Sequence, residues 1–242
     1  MTTELLYLKD SYLKQFTAKV VSLRDQSVIL DRTAFYPGGG GQPCDVGELK
    51  WSERRMPVVS VAKDAGEVVH KLGGQPPEVG SAVEGTIDWE TRYLHMRFHS
   101  ALHVLCGVVF RLFGSLVTGG QIYHDKARMD FDLEDLTPAR VTAIEDESNR
   151  IVGEGRRFKI MMLPREEAFK IPDLIRTRIN LLPPGLTTVR VVEIEGFDMQ
   201  ADGGTHVSNT REIGLIKVVR VENKGRFNKR MEIALGPVSV ES

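Results

Sequence analysis

At Asp88 the hydrophobic pattern of this 242-residue chain changes period, and that change constrains its fold more than any other feature. From there Leu94, Phe98, Leu102, Leu105, Val109 and Leu112 recur every three or four residues, ending near Gly114. Side chains at that spacing share one helix face, so the segment is a long helix with one buried side. Asp88 is its predicted cap, and Glu90 in the first turn is favourably placed against the helix dipole. Upstream the apolar runs are short. Ala18–Leu23 and Ser27–Leu30 flank the polar turn Arg24-Asp25-Gln26 as a hairpin; Val58–Ala62, Val68–Leu72 and Ala82–Ile87 follow, with Gly73-Gly74-Gln75-Pro76-Pro77 and Val79-Gly80 as breaks. Strands so spaced predict a small barrel or sandwich.

Downstream, Thr137-Pro138 opens a second helix carrying Val141, Ile144, Ser148 and Ile151, with threonine as cap and proline in the first turn. Pro183-Pro184-Gly185 breaks the chain before three expected strands, Thr188–Ile194, Gly214–Val221 and Met231–Leu235. The expected class is α+β. A small β-barrel-like domain over 1–89 precedes an α+β domain over 90–242, whose long helix packs on a mainly antiparallel sheet.

Lysine and arginine (32) nearly balance aspartate and glutamate (33), leaving a net charge of -1, so any nucleic-acid contact must be local. Cys44 and Cys106 support neither a disulfide framework nor an all-cysteine zinc cage, which suits a reducing cytosol. Glu4 and Asp10 argue against a signal peptide. The longest apolar run, Leu102–Val117, contains His103 and Arg111 and reads as too short for a bilayer. A soluble, cytoplasmic protein is expected.

Three motifs carry candidate chemistry. In His99-Ser100-Ala101-Leu102-His103 the histidines lie one helical turn apart, the reach needed to share a zinc ion. Ser100 stands where zinc proteases place a glutamate base, which disfavours a protease. His95, one turn earlier, reads as a solvated or hydrogen-bonded side chain. Gln200-Ala201-Asp202-Gly203-Gly204-Thr205-His206-Val207 reads either as a turn before a strand or as a bent loop presenting Asp202 and His206, with glycines admitting a ligand. The segment from Thr33 to Gly47 holds Gly38-Gly39-Gly40-Gly41-Gln42, a flexible turn or a backbone-amide cradle for phosphate.

Together HSALH, QADGGTHV and TAFYPGGGGQPCDVG closely resemble the free-standing alanyl-tRNA editing proteins and the editing domain of alanyl-tRNA synthetase. LLYLKDSYL, DWETRYLHMRFHSALHVL and GGQIYHDKARMDFD extend the resemblance over almost the whole chain, in the medium-length form. The resemblance implies a zinc ion held by His99, His103, His206 and the residue at 202. It implies a hydrolase that removes serine, and also glycine, from the acceptor end of mischarged tRNA(Ala), with His99, His103 and His206 catalytic.

The family has cysteine where this chain has Asp202. The aspartate either remains a weaker ligand, since carboxylates bind zinc at about 2.0–2.2 Å, or orients a histidine from outside; the first is favoured. Cys106, on the same helical face as the two histidines, is a further candidate, though it reads better as a buried apolar cysteine. By motif position, Thr33, Gly39, Gly40, Gly41 and Gln42 contact the serine hydroxyl or terminal nucleotide, and the backbone at Gly203 and Gly204 helps hold the 3′ end.

Between Arg211 and Arg230 seven basic residues meet two acidic ones. Lys224, Arg226, Lys229 and Arg230, with Phe227, are expected to meet phosphates and one stacked base; Arg156-Arg157-Phe158-Lys159 is a smaller candidate. No DNA or membrane partner is expected. The alternatives are editing of serine on a threonine tRNA, or a tRNA-binding module whose site has decayed.

Overall fold

The computed structural model describes residues 3–238 except 65, 181, 183 and 184, so the Pro183-Pro184 break lies outside the described residues. The chain forms two compact units, Met1–His95 and Met96–Ser242.

In the first unit, β1 (Glu4–Leu5), β2 (Gln15–Arg24), β3 (Ser27–Leu30) and β4 (Arg32–Thr33) precede β5 (Gly47–Trp51), β6 (Arg54–Asp64), β7 (Glu67–Leu72) and β8 (Ala82–Ile87). Strands β2-β3-β7-β6-β5-β8 close a barrel, and β1 pairs parallel with β4. Alternation explains the barrel's core: Phe16, Ala18 and Val20 of β2 turn inward with Val28, Leu30, Phe35, Leu49, Val58 and Leu72. The β2–β3 turn is Asp25-Gln26, with Asp25 at φ 51°, so Arg24 belongs to the strand. Strand β5 escaped the sequence reading because Leu49 is its one fully buried side chain.

Helix α1 (Trp89–Phe113) begins at its predicted cap: Asp88 Oδ1 accepts the Thr91 amide proton at 3.1 Å. The unit boundary falls inside this helix, one to two turns beyond the change of period, because Arg92 is bonded into the barrel unit. Its buried guanidinium donates to both oxygens of Asp45 and to the carbonyls of Ser11 and Ala34. Phe98, Leu102, Leu105 and Val109 are buried, but Leu112 is exposed, so the apolar face ends a turn earlier than its periodicity suggests. At 25 residues α1 is long and apolar enough to cross a bilayer, contrary to the reading of its apolar run as too short; 72% of its most apolar stretch is buried inside the protein. It is a core helix.

The second unit continues with β9 (Val117–Ile122), β10 (Ala127–Phe131), α2 (Pro138–Gly153), β11 (Phe158–Pro164), α3 (Arg165–Ala168), β12 (Thr188–Ile194), β13 (Asp198–Ala201), β14 (Ile216–Gly225) and β15 (Asn228–Leu235). Two antiparallel sheets result, ordered β14-β15-β10-β9 and β11-β12-β13. The protein is thus α+β, with an amino-terminal barrel, a long helix and antiparallel sheets. Thr137 caps α2 by accepting the Arg140 amide proton at 3.3 Å, and Ile144, Ser148 and Ile151 are its buried side. A Cβ at Gly107 would lie 2.7 Å from the Phe197 ring and 3.1 Å from Asp198 Cβ. That close approach seats α1 against the start of β13, the strand that leads into the Asp-Gly-Gly loop.

Candidate metal centre

His99 and His103 project from α1 with ring centroids 5.1 Å apart. Asp202 and His206 come from the loop that leaves β13. That loop is held at both ends. Asp202 donates its amide proton to the Arg190 carbonyl (3.1 Å), and Arg190 Nη1 donates back to the Asp202 carbonyl (3.0 Å). At the far end Asn209 and Glu212 form a capping box on the short helix Thr210–Ile213. One candidate ligand atom from each of His99, His103, Asp202 and His206 then lies within 4.8 Å of the others.

Asp202 organises the cluster. Its Oδ2 accepts the Gly204 amide proton at 2.6 Å and faces His206 Nε2 at 3.0 Å, while Oδ1 lies 3.4 Å from His99 Nε2 and 4.0 Å from His103 Nε2. Arg190 Nη1 stands 3.7 Å from Oδ2. Burial, reinforced by neighbouring His99, pulls His103 down to about 4 despite Asp202. Burial, with His99 and His103 beside it, likewise holds His206 well below its ordinary value. Burial opposes the charge of Asp202, but His99 and His206 outweigh it and keep the carboxyl well below the usual range. Near neutral pH, His103 and His206 therefore offer lone pairs rather than charges, beside an anionic carboxylate. That donor set fits a divalent cation. A tetrahedral site with bonds of about 2.0–2.2 Å needs ligand atoms roughly 3.5 Å apart, a modest contraction of the present cluster.

Two contacts around the cluster carried no readable signal in the sequence. Ser100, fully buried, places Oγ 3.3 Å from His206 Nδ1 and accepts the Val207 amide proton at 3.1 Å. Phe158 stacks on the His206 ring with centroids 5.5 Å apart. Within the smaller basic candidate, Phe158 thus packs on the His206 ring, while Arg156 pairs with Glu154 and the half-exposed Lys159 with Glu195. Cys106 is buried, its thiol pushed up by desolvation, and it lies outside the four-residue cluster. His95 is buried rather than solvated.

The two loop glycines differ. Gly203 is exposed, and a Cβ there would meet nothing within 4 Å, so the protein leaves open space at that position. The Gly204 amide is already committed to Asp202, which corrects its expected role as a donor to the 3′ end.

In the barrel unit, Thr33 is fully buried; its Oγ1 lies 2.8 Å from His70 Nε2 and accepts the Phe35 amide proton at 3.1 Å. Gly39 and Gln42 exchange both backbone hydrogen bonds (3.1 and 2.9 Å) around Gly40 and Gly41, at φ 57° and 86°. Positive φ at both central positions is the requirement of a tight I′-type turn, so glycine is needed there for conformation. The amides of Gly39 and Gln42 are consumed by that turn, which corrects their place in a phosphate cradle. Gln42 itself is buried.

The β14–β15 hairpin divides the basic residues assigned to RNA. Arg226 is 79% exposed, with its guanidinium 5.0 Å from the Phe227 ring centroid. Lys224 is half-exposed and pairs with Glu222 at 2.5 Å. Lys229 is only 5% exposed, and its ammonium donates to the carbonyls of Gly225 (2.6 Å) and Arg226 (3.0 Å). Arg230 grips Asp130 through two bonds, at 2.7 and 2.9 Å. Lys229 is thus tied within the hairpin and Arg230 ties the hairpin to β10, which corrects their expected contact with phosphate.

Residues 189–232 match the family described as "Threonyl and Alanyl tRNA synthetase second additional domain", and residues 2–91 match "tRNA synthetases class II (A)". The alanyl-tRNA editing protein AlaX-M of Saccharolobus solfataricus is 45% identical over 97% of this chain and 100% of its own length. Its namesake from Methanosarcina mazei is 38% identical over 96% of both chains. The alanine–tRNA ligase of Thermococcus kodakarensis is 38% identical over 98% of this chain, which spans 26% of that enzyme. With the two AlaX-M relatives this similar along nearly their whole length, the chain belongs to the AlaX-M family of alanyl-tRNA editing proteins.

Proposed function

We propose that this protein is a trans-acting hydrolase that removes serine, and also glycine, from mischarged tRNA(Ala) at a zinc site formed by His99, His103, Asp202 and His206. The observation that carries the reading is the convergence of those four side chains within 4.8 Å. The names of its relatives support alanyl-tRNA as the substrate class; the acceptor end as the part engaged and the cytoplasm as the working compartment belong to the proposal itself.

The physical need is plain. A synthetic pocket sized for alanine cannot strongly reject an added hydroxyl or a smaller side chain, because such differences are worth roughly 1–3 kcal/mol. A second, hydrolytic site supplies the missing discrimination. There the bond between the amino acid's carbonyl carbon and the ribose oxygen breaks, and water provides the new hydroxyl.

A zinc ion in the cluster would supply Lewis acidity toward the ester or its water. The chain's own residues do the rest. His103 and His206 present lone pairs, His99 adds a third imidazole, and Asp202 contributes a fixed negative charge that replaces the thiolate of the family pattern. Arg190 and Gly204 hold that carboxylate in place. The open side of Gly203 gives an aminoacyl end room to approach. Arg226 and Lys224 extend from the hairpin as candidates for phosphate contact, and Phe227 for stacking.

Hydrolysis of Ser-tRNA(Ala) by protein of measured metal content, before and after chelation, tests the reading. Turnover should fall on chelation and return with zinc, and His103→Ala should lower it by at least about a hundredfold. Bound tRNA with neither metal nor turnover would instead mark a decayed site. Faster hydrolysis of serine from a threonine tRNA would move the substrate.

A further inference from the structure

The Ser100 hydroxyl holds two consecutive residues of the Asp-Gly-Gly loop from one atom. It accepts the Val207 amide proton at 3.1 Å and lies 3.3 Å from His206 Nδ1. Ser100 is fully buried, Val207 and His206 almost so, and water does not compete for these contacts. On the opposite side of the same ring, Nε2 faces Asp202 Oδ2 at 3.0 Å.

A neutral imidazole carries one ring proton, so these two contacts are linked. Where Asp202 accepts from Nε2–H, Nδ1 is bare and needs a donor. Where a cation takes the Nε2 lone pair, the proton sits on Nδ1 and needs an acceptor. A carbonyl or carboxylate beside Nδ1 would serve only the second state. A hydroxyl serves both: with one lone pair given to Val207, Ser100 keeps its proton and a second lone pair.

We propose that Ser100 is the positioning residue for His206, reversing its hydrogen-bond role so that Nε2 can pass from Asp202 to a bound cation while Nδ1 keeps a hydrogen-bond partner in both states. This rests on the metal reading above. It assigns the residue between the two helical histidines a task of its own, through the third histidine.

The test compares the full-length protein with Ser100→Ala and Ser100→Thr. Zinc affinity is read by competition with a chromogenic chelator, and the ring proton of His206 by nitrogen-15 NMR of the histidine side chains, metal-free and zinc-loaded. The expected result is weakening by roughly 10–100-fold in the alanine variant, the range for losing a residue that orients a metal-bound histidine. The threonine variant should retain wild-type affinity. In the wild type the proton should move from Nε2 to Nδ1 on loading, and alanine should alter that balance. An alanine variant with wild-type affinity and an unchanged ring proton overturns the proposal alone, as does a threonine variant as weak as alanine. A wild-type protein that takes up no zinc overturns the metal reading as well, so the two failures are distinct.

Discussion

Asp202 Oδ2 lies 3.0 Å from Nε2 of His206, four residues further along the same loop. The carboxylate's further contacts are provided by Gly204, His99 and Arg190. The charge, more than the shape, should then decide how well the cluster holds a cation. Asp202→Asn keeps the shape and removes the charge, and should weaken zinc binding by about tenfold or more. Asp202→Cys should hold zinc more selectively against manganese, because thiolate prefers the softer ion. Competitive metal titrations of the three proteins read both effects. Equal zinc affinity for the asparagine variant would exclude Asp202 as a ligand.

Two histidines buried in different units give stability the same dependence on pH. Burial lowers both His70 and His103 to about 4. Between about 6.5 and 4 the unfolded chain binds protons at these positions that the native chain does not, so stability rises with pH through that window. Asp202, held low, acts in the same direction at more acid pH. Thermal melts of metal-free protein should show Tm falling steadily from pH 7 to 4, and His70→Gln should flatten part of that slope. A Tm independent of pH across the window would contradict the burial of neutral rings.

Arg92 is the most heavily bonded buried cation of the barrel unit. Removing it would take from Asp45 its buried ion-pair partner, and from the carbonyls of Ser11 and Ala34 the donor that Arg92 gives each of them. The expected cost of Arg92→Met in urea unfolding is about 3–5 kcal/mol, the range for orphaning one partner of a buried pair. Arg92→Lys should recover little of it, because a single ammonium cannot reach three acceptors at once.

The β14–β15 hairpin should separate binding from folding. Arg226→Ala should lower the salt dependence of tRNA binding by about one unit of slope and leave the melting temperature unchanged. Lys229→Met should do the reverse, since its ammonium is tied to the turn carbonyls of Gly225 and Arg226. If Lys229→Met instead weakens tRNA binding at constant stability, the hairpin opens when RNA arrives.

The sequence made α1, its Asp88 cap, α2 and the β2–β3 hairpin readable because each combines a clear period with a local stop signal. It also exposed the four cluster residues, whose spacing is covalent in two pairs. Strands β9 and β10 were hidden by composition. Gly119 and Gly120 lie inside β9, where glycine weakens the strand pattern, and Asp130 of β10 is a charged side chain that is buried between Arg128 and Arg230. The partners of Ser100, Phe158 and Lys229 were hidden for another reason. Each depends on contacts between segments that one strand of text cannot juxtapose, and a lysine bonded to carbonyls looks the same in sequence as one facing solvent.

The arginine at position 92 also determines how the gene can be cut. A break at residue 90, where the hydrophobic period changes, would give a barrel fragment with an uncompensated interior carboxylate at Asp45. The other fragment's first helical turn would carry a guanidinium suited to an interior it no longer has. Neither piece would be a portable module. Recombination or design that aims to exchange the half carrying the histidine–aspartate cluster must carry the seam past His95, so that the opening turns of α1 are inherited with the barrel.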